Sequence, residues 1–284
     1  MSNKLFRYLV PAIVSNLFLL SIAYAGFDEG VAAYKKQDYV TALREFRPLA
    51  NDGVAMAQLD LGNMYYEGQG VPQDFKVAMK LYRLAADQGV ASAQSSLGVM
   101  YANGEGVPQN YKEAIKWHQL AVNQGYAGAQ SNLGIMYANG EGIPQDYKEA
   151  VKLFRLAVNQ GYAGAQFNLG IMYVNGEGVP QDYMEAVKLF RLAADQGVAN
   201  AQNSLAVMYE NGQGVLKNKI IAYAIYNVAS INFRTPDNIS SKNRKHLINS
   251  LTLNELSIAN QMTDQLLKQG KFLINLDVFA TLSK

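Results

Sequence analysis

Cysteine is absent from all 284 residues. That single absence excludes disulfides, thiolate metal sites and cysteine nucleophiles together. It also excludes a lipidated N-terminal cysteine, so the chain is not expected to be a lipoprotein. Histidine is nearly absent, with only His118 and His246 in the chain. Neither has a second ligand or a nucleophile at useful spacing, which argues against a metal centre and a Ser-His-Asp arrangement. No Ser-x-x-Lys occurs, which argues against a penicillin-binding or β-lactamase nucleophile. Charge of one sign is lacking as well. The chain holds 25 Lys/Arg and 23 Asp/Glu, so charge steering toward nucleic acid is not expected. No cofactor or metal site is expected, and the chain is not read as an enzyme.

A long hydrophobic run is missing too. An apolar stretch runs from about Leu9 to Ile22, interrupted by Pro11, Ser15 and Asn16. It is shorter than the roughly 20 residues a spanning helix needs. Lys4 and Arg7 precede it and Ala23-Tyr24-Ala25 follows it. This is the pattern of a secretory signal peptide, residues 1–25, cleaved after Ala25. An uncleaved anchor is the alternative, and the short run speaks against it. Export to the periplasm or beyond is expected, with no stable membrane span after cleavage. The remaining charge is uneven: residues 26–215 carry fourteen Lys/Arg and nineteen Asp/Glu, residues 216–284 nine and four.

What the chain has in abundance is repetition. Ala-Gln occurs at 57/58, 93/94, 129/130, 165/166 and 201/202, always 36 residues apart. Leu61-Gly62, Leu97-Gly98, Leu133-Gly134 and Leu169-Gly170 keep the same phase, as do Met64, Met100, Met136, Met172 and Met208. A Gly-x-Gly recurs five times and is followed by Val/Ile-Pro-Gln-Asp/Asn in four of them. A fixed period of this length marks a solenoid whose units bury their apolar faces by stacking.

Each unit reads as two antiparallel helices. In helix A, about Ala129–Asn139, the positions Ala129, Leu133, Met136 and Tyr137 follow i, i+4, i+7, i+8. Gly140 stops it and Pro144 prevents its resumption. Helix B starts after Asp146, where Asp146-x-x-Glu149 reads as a capping box, and buries Tyr147, Ala150, Leu153, Phe154 and Ala157. The Gly-x-Gly is therefore a turn. A phosphate loop would occur once, follow a strand and end in Lys-Ser/Thr or a third glycine. The recurring Glu105, Glu141 and Glu177 read as exposed turn residues, and Asn103, Asn139 and Asn175 as caps on the carbonyls of helix A.

The string AQ..LG.MY..GEGVPQDY.EA...F.LAA.QG, over about Val54 to Ser230, resembles the Sel-one-like repeat, a relative of the tetratricopeptide repeat. The resemblance implies an all-α fold, a right-handed α/α superhelical solenoid of 36-residue helix-turn-helix repeats with a concave face lined by the A helices. It also implies an adaptor that binds a protein or peptide, linked to envelope processes, signalling or host contact. The alternative is a cell-wall-related enzyme or a modulator of such enzymes. Residues 26–53 look like a tetratricopeptide-type capping hairpin, residues 54–232 are the array, and residues 233–284 hold capping helices and a tail. Within the tail, Thr252-x-x-Glu255 opens a helix that places Leu256, Ala259, Met262 and Leu266 on one face, with Gly270 as its stop.

The candidate binding face follows from helix phase. Positions 131, 135 and 138, with their equivalents at 36-residue intervals, point away from the packed stripe at 100° per residue. They either line an open groove or pack on the next unit. The candidates are Tyr66, Ile135, Phe167, Ile171 and Val174, with Asn132 and Asn168 on the polar edge. Phe167 stands out because Leu59, Ser95, Ser131 and Asn203 occupy its position elsewhere, and exposed aromatics favour binding. Neither the partner nor the oligomeric state is specified by these residues.

Overall fold

The computed structural model describes residues 26–233, 235, 238–268, 272 and 276. The expected signal peptide and Gly270 lie outside them. The described residues form helices and connecting turns, with no strand among them. Helix α1 (residues 26–35) and α2 (Tyr39–Asn51) form a hairpin around a short turn in which Gln37 takes a positive φ of 62°. Five A/B pairs follow: α3 (Ala55–Glu67) with α4 (Phe75–Asp87), α5 (Ala91–Asn103) with α6 (Tyr111–Asn123), α7 (Ala127–Asn139) with α8 (Tyr147–Asn159), α9 (Ala163–Asn175) with α10 (Tyr183–Asp195), and α11 (Ala199–Asn211) with α12 (Lys219–Asn232). The chain ends in α13 (Ile239–Ile248) and α14 (Leu253–Leu266). Two compact units divide it, Met1–Ala129 and Gln130–Lys284, and each is described by itself.

The turn glycines do two jobs. Gly176 ends α9 in the left-handed region, φ 72°, and its N–H closes on the Met172 carbonyl at 2.9 Å. A residue with a Cβ would be strained there. Gly178, φ 69°, serves packing: a Cβ on it would overlap the carbonyl oxygen of Tyr147 in the first turn of α8. The turn therefore sits directly on the preceding repeat. Within a pair, closeness comes from Gly134, whose added Cβ would lie 2.7 Å from the Phe154 ring. This close approach compensates for a glycine inside helix α7.

Helix B begins with half of the expected capping box. The Asp146 carboxylate accepts from Lys148 N and Glu149 N at 2.9 and 3.0 Å. Its own N–H donates to the Tyr137 carbonyl at 2.9 Å, so it does not need the reciprocal bond from Glu149. Glu149 pairs instead with Lys152 at 2.7 Å. Among the described residues the full box occurs at Thr252 and Glu255 of α14, where Thr252 N–H donates to the Glu255 carboxylate at 2.8 Å.

The Gln of each Ala-Gln is buried, and the amides of Gln58, Gln94 and Gln202 bond the preceding repeat. Gln94 Nε2 donates to the Ala86 carbonyl at 3.2 Å, while its Oε1 accepts from Gln124 at 2.8 Å. In the second unit Gln202 donates to Ala194 at 3.0 Å and accepts from Asn232 at 2.8 Å. Buried polar groups need such partners, which explains an invariant amide inside an apolar stripe.

At the end of the second unit, α12 is buried from Ile221 to Ala229. Leu247 of α13 and Ala259, Met262 and Leu266 of α14 share its core, together with Phe272 and Leu276. Helix α13 starts inside the polar sequence NFRTPDNISS, residues 232–241. Asn238 caps it by accepting from Ser241 N at 2.8 Å.

Candidate functional site

On the A-helix side of the second unit, successive repeats leave a groove of about 590 Å³. Ile135 and Ala138 of α7 form one wall, Asn168 and Ile171 of α9 the other, and Tyr147 and Glu177 close its turn end. Three of the sequence-derived residues therefore meet here: Ile135, Asn168 and Ile171. Asn132 is half-buried on α7. Val174 is partly buried and packs on the core of the second unit, as does Phe167. The Phe167 ring lies 5.9 Å from that of Phe190, a fully buried residue, so packing does use the aromatic. The equivalent Leu59, Ser95 and Ser131 are buried, and the 131 row is not open surface in those repeats.

Two further features correct the sequence reading. Glu177 is half-buried and lines the groove instead of standing in solvent. The asparagine before the turn glycine bonds this acid and leaves the carbonyls alone: Asn139 Nδ2 donates to Glu141 at 2.8 Å and Asn175 to Glu177 at 3.3 Å. The carbonyl cap comes from the glutamine of Pro-Gln-Asp, with Gln145 Nε2 donating to Ala138 O at 2.7 Å. In the last repeat the face is covered. Ser240 and Asn243 of α13 donate to Asn203 at 2.9 and 3.2 Å, and Tyr226 donates to Glu210 at 2.7 Å.

In the first unit, Tyr66 packs 5.3 Å from Phe75 and 6.4 Å from Tyr82, ring to ring. Its hydroxyl donates to Glu105 at 2.9 Å. Burial, reinforced by that carboxylate, pushes its pKa up to about 12, so the phenol is a neutral donor. His118 is buried over Gly98, in the position of Phe154 and Phe190, and its Nδ1 has no hydrogen-bond partner. Burial lowers its pKa to about 4, which makes it a neutral packing residue. Among the described residues no group of three or more His, Asp or Glu side chains is placed to hold a metal ion, and no helix is long and apolar enough to cross a membrane.

Paired helices repeating every 36 residues, with a groove lined by apolar, amide and carboxylate side chains, define an α-helical repeat scaffold. The chain belongs to the Sel1 repeat family, whose repeat matches residues 55–90, 91–126, 127–162, 163–198 and 199–230. Proteins of this family generally serve as protein-interaction scaffolds, and the fold is typically non-catalytic. The chain is similar in structure to a Sel1 repeat protein from Oxalobacter formigenes, with a TM-score of 0.64 and 27% identity over 82% of this chain and 96% of that one. It is also similar to a protective antigen of uropathogenic Escherichia coli that displays an SLR fold, with a TM-score of 0.52 and 26% identity over 92% of this chain and 64% of that one. A putative Sel1 repeat protein from Klebsiella pneumoniae shares the fold at a TM-score of 0.51 and 22% identity, over 72% of this chain and 97% of that one. No curated protein matches the chain.

Proposed function

We propose that the chain is an exported, non-catalytic adaptor that holds a protein or peptide partner on the A-helix face of its repeats. The observation that carries this reading is the groove between α7 and α9, where Ile135 and Ile171 offer apolar contact and Asn168 an amide edge. An extended peptide or a partner helix uses such a surface, with apolar anchors in the groove and polar bonds at its margin. Phe167 and Val174 support the groove from α9, Asn132 extends its edge on α7, and Tyr66 is the corresponding contact residue of the first unit.

A partner recovered by cross-linking pull-down from the envelope fraction is the probe. Ile171→Ala and Ile135→Ala should each weaken its capture, by roughly thirtyfold for a central anchor worth about 2 kcal/mol. Lys152→Ala, on the B-helix side, should leave capture unchanged. Wild-type capture by both groove variants, with loss in Lys152→Ala, would place the partner on the other side. Export rests on Lys4, Arg7, the short apolar run and Ala23-Tyr24-Ala25. Protein from the envelope fraction should begin at Gly26 on N-terminal sequencing, and intact Met1 protein confined to the cytosol would refute it.

A further inference from the structure

We infer that the first unit carries a second docking surface, on its B-helix side, that takes an acidic peptide with an apolar side chain between its carboxylates. This surface is independent of the A-helix groove. It rests on a departure of α4, which keeps the lysine but not the glutamate that precedes it in the next three repeats. Helices α6, α8 and α10 place a glutamate three residues before a lysine, and the pairs Glu113–Lys116, Glu149–Lys152 and Glu185–Lys188 all form ion bridges. In α4 the glutamate is replaced by Val77. Lys80 thereby loses its carboxylate, and no ion pair forms at Lys76, Lys80 or Arg83 among the described residues.

These three cations border one groove of about 620 Å³, whose apolar surface comes from Met79, Leu84 and Val107. They follow i, i+4, i+7, one helix face spanning about 10 Å at 1.5 Å per residue. Arg83 is held in place: its Nη2 donates to the Tyr101 hydroxyl at 3.0 Å, and its guanidinium stacks 4.4 Å over the Trp117 ring. The opposite wall is fixed as well, because Gly106 seats the next turn 2.9 Å, at the missing Cβ, from the backbone of Phe75. Leu84 is half-exposed. An open groove with apolar lining beside three cations that have no acid partner suits an apolar side chain inserted between carboxylates.

The probe is a fluorescein-labelled synthetic peptide of repeated Glu-Leu-Glu, read by anisotropy on the full chain. It should bind, weaken as NaCl rises from about 50 to about 500 mM, and be displaced by neither the Lys-Leu-Lys analogue nor phosphatidylglycerol vesicles. Val77→Glu installs the acid of the next three repeats, and should keep the melting temperature while weakening the peptide about fivefold. Lys80→Gln should weaken it comparably. Ile171→Ala, in the A-helix groove, should leave peptide affinity unchanged, so the two surfaces fail separately. Equal binding of the basic peptide, or unaltered affinity in both Val77→Glu and Lys80→Gln, overturns the inference. So does vesicle binding without peptide binding, or a dimer in sedimentation that Val77→Glu dissociates.

Discussion

Asp60 occupies the position held by Ser96, Asn132, Asn168 and Ser204 in the other repeats. It is half-buried, and burial pushes its carboxyl up to about 6 from an ordinary value of 3.8. The folded state therefore holds this proton more tightly than the unfolded chain. The sign follows from linkage: below about pH 4 both states are protonated and there is no penalty, and stability falls as pH rises toward about 6. Asp60→Asn should then stabilise the protein at pH 7 by about 1–3 kcal/mol, since neutral residues already suit the position in four repeats. Melting curves of both proteins from about pH 3.5 to 7 test this, and the difference should vanish at the acid end. A gain of equal size at every pH would show that charge is not its cause.

At the scale of helices, what could be read from the sequence was what local periodicity writes. Ala150, Leu153, Phe154 and Ala157 fall on one stripe of α8 and are buried there, because a 3.6-residue period needs no knowledge of the partner. The groove walls Ile135 and Ile171 follow from the same phase. Helix α13 escaped because its buried residues include Ser240 and Ser241, which hide through bonds to Asn203 and Ser230. Apolar spacing does not mark such a helix; Asn238 as a cap was the one available sign. The turn acids were misplaced for a related reason. Whether Glu177 faces solvent or the groove depends on how its turn stacks, and that is set by Gly178 against the backbone of Tyr147. Phe167 likewise needs Phe190 across the pair before its burial is visible.

At the scale of the molecule, a stacked array must cover its last apolar face, and in the second unit α13 and α14 do so. Helix α12 has apolar residues on all sides, with Ile221, Ile225 and Tyr226 fully buried. Its Asn227 donates to Thr263 of α14 at 3.1 Å and accepts from Arg244 of α13 at 3.2 Å, so even its polar position is committed to the cap. A chain ending after Phe233 would expose several large side chains worth about 2 kcal/mol each and leave Asn227 unpaired. Such a truncation should elute as aggregate on size exclusion and melt at least about 10 °C lower. Truncation alone removes many contacts at once, so Ala259→Glu in the full chain isolates the interface. That substitution buries an unpaired charge against α12 and should cost about 3 kcal/mol or more. A truncated chain that is monodisperse with the full-length melting temperature, together with an Ala259→Glu protein as stable as the parent, would mean that the array closes itself without these helices.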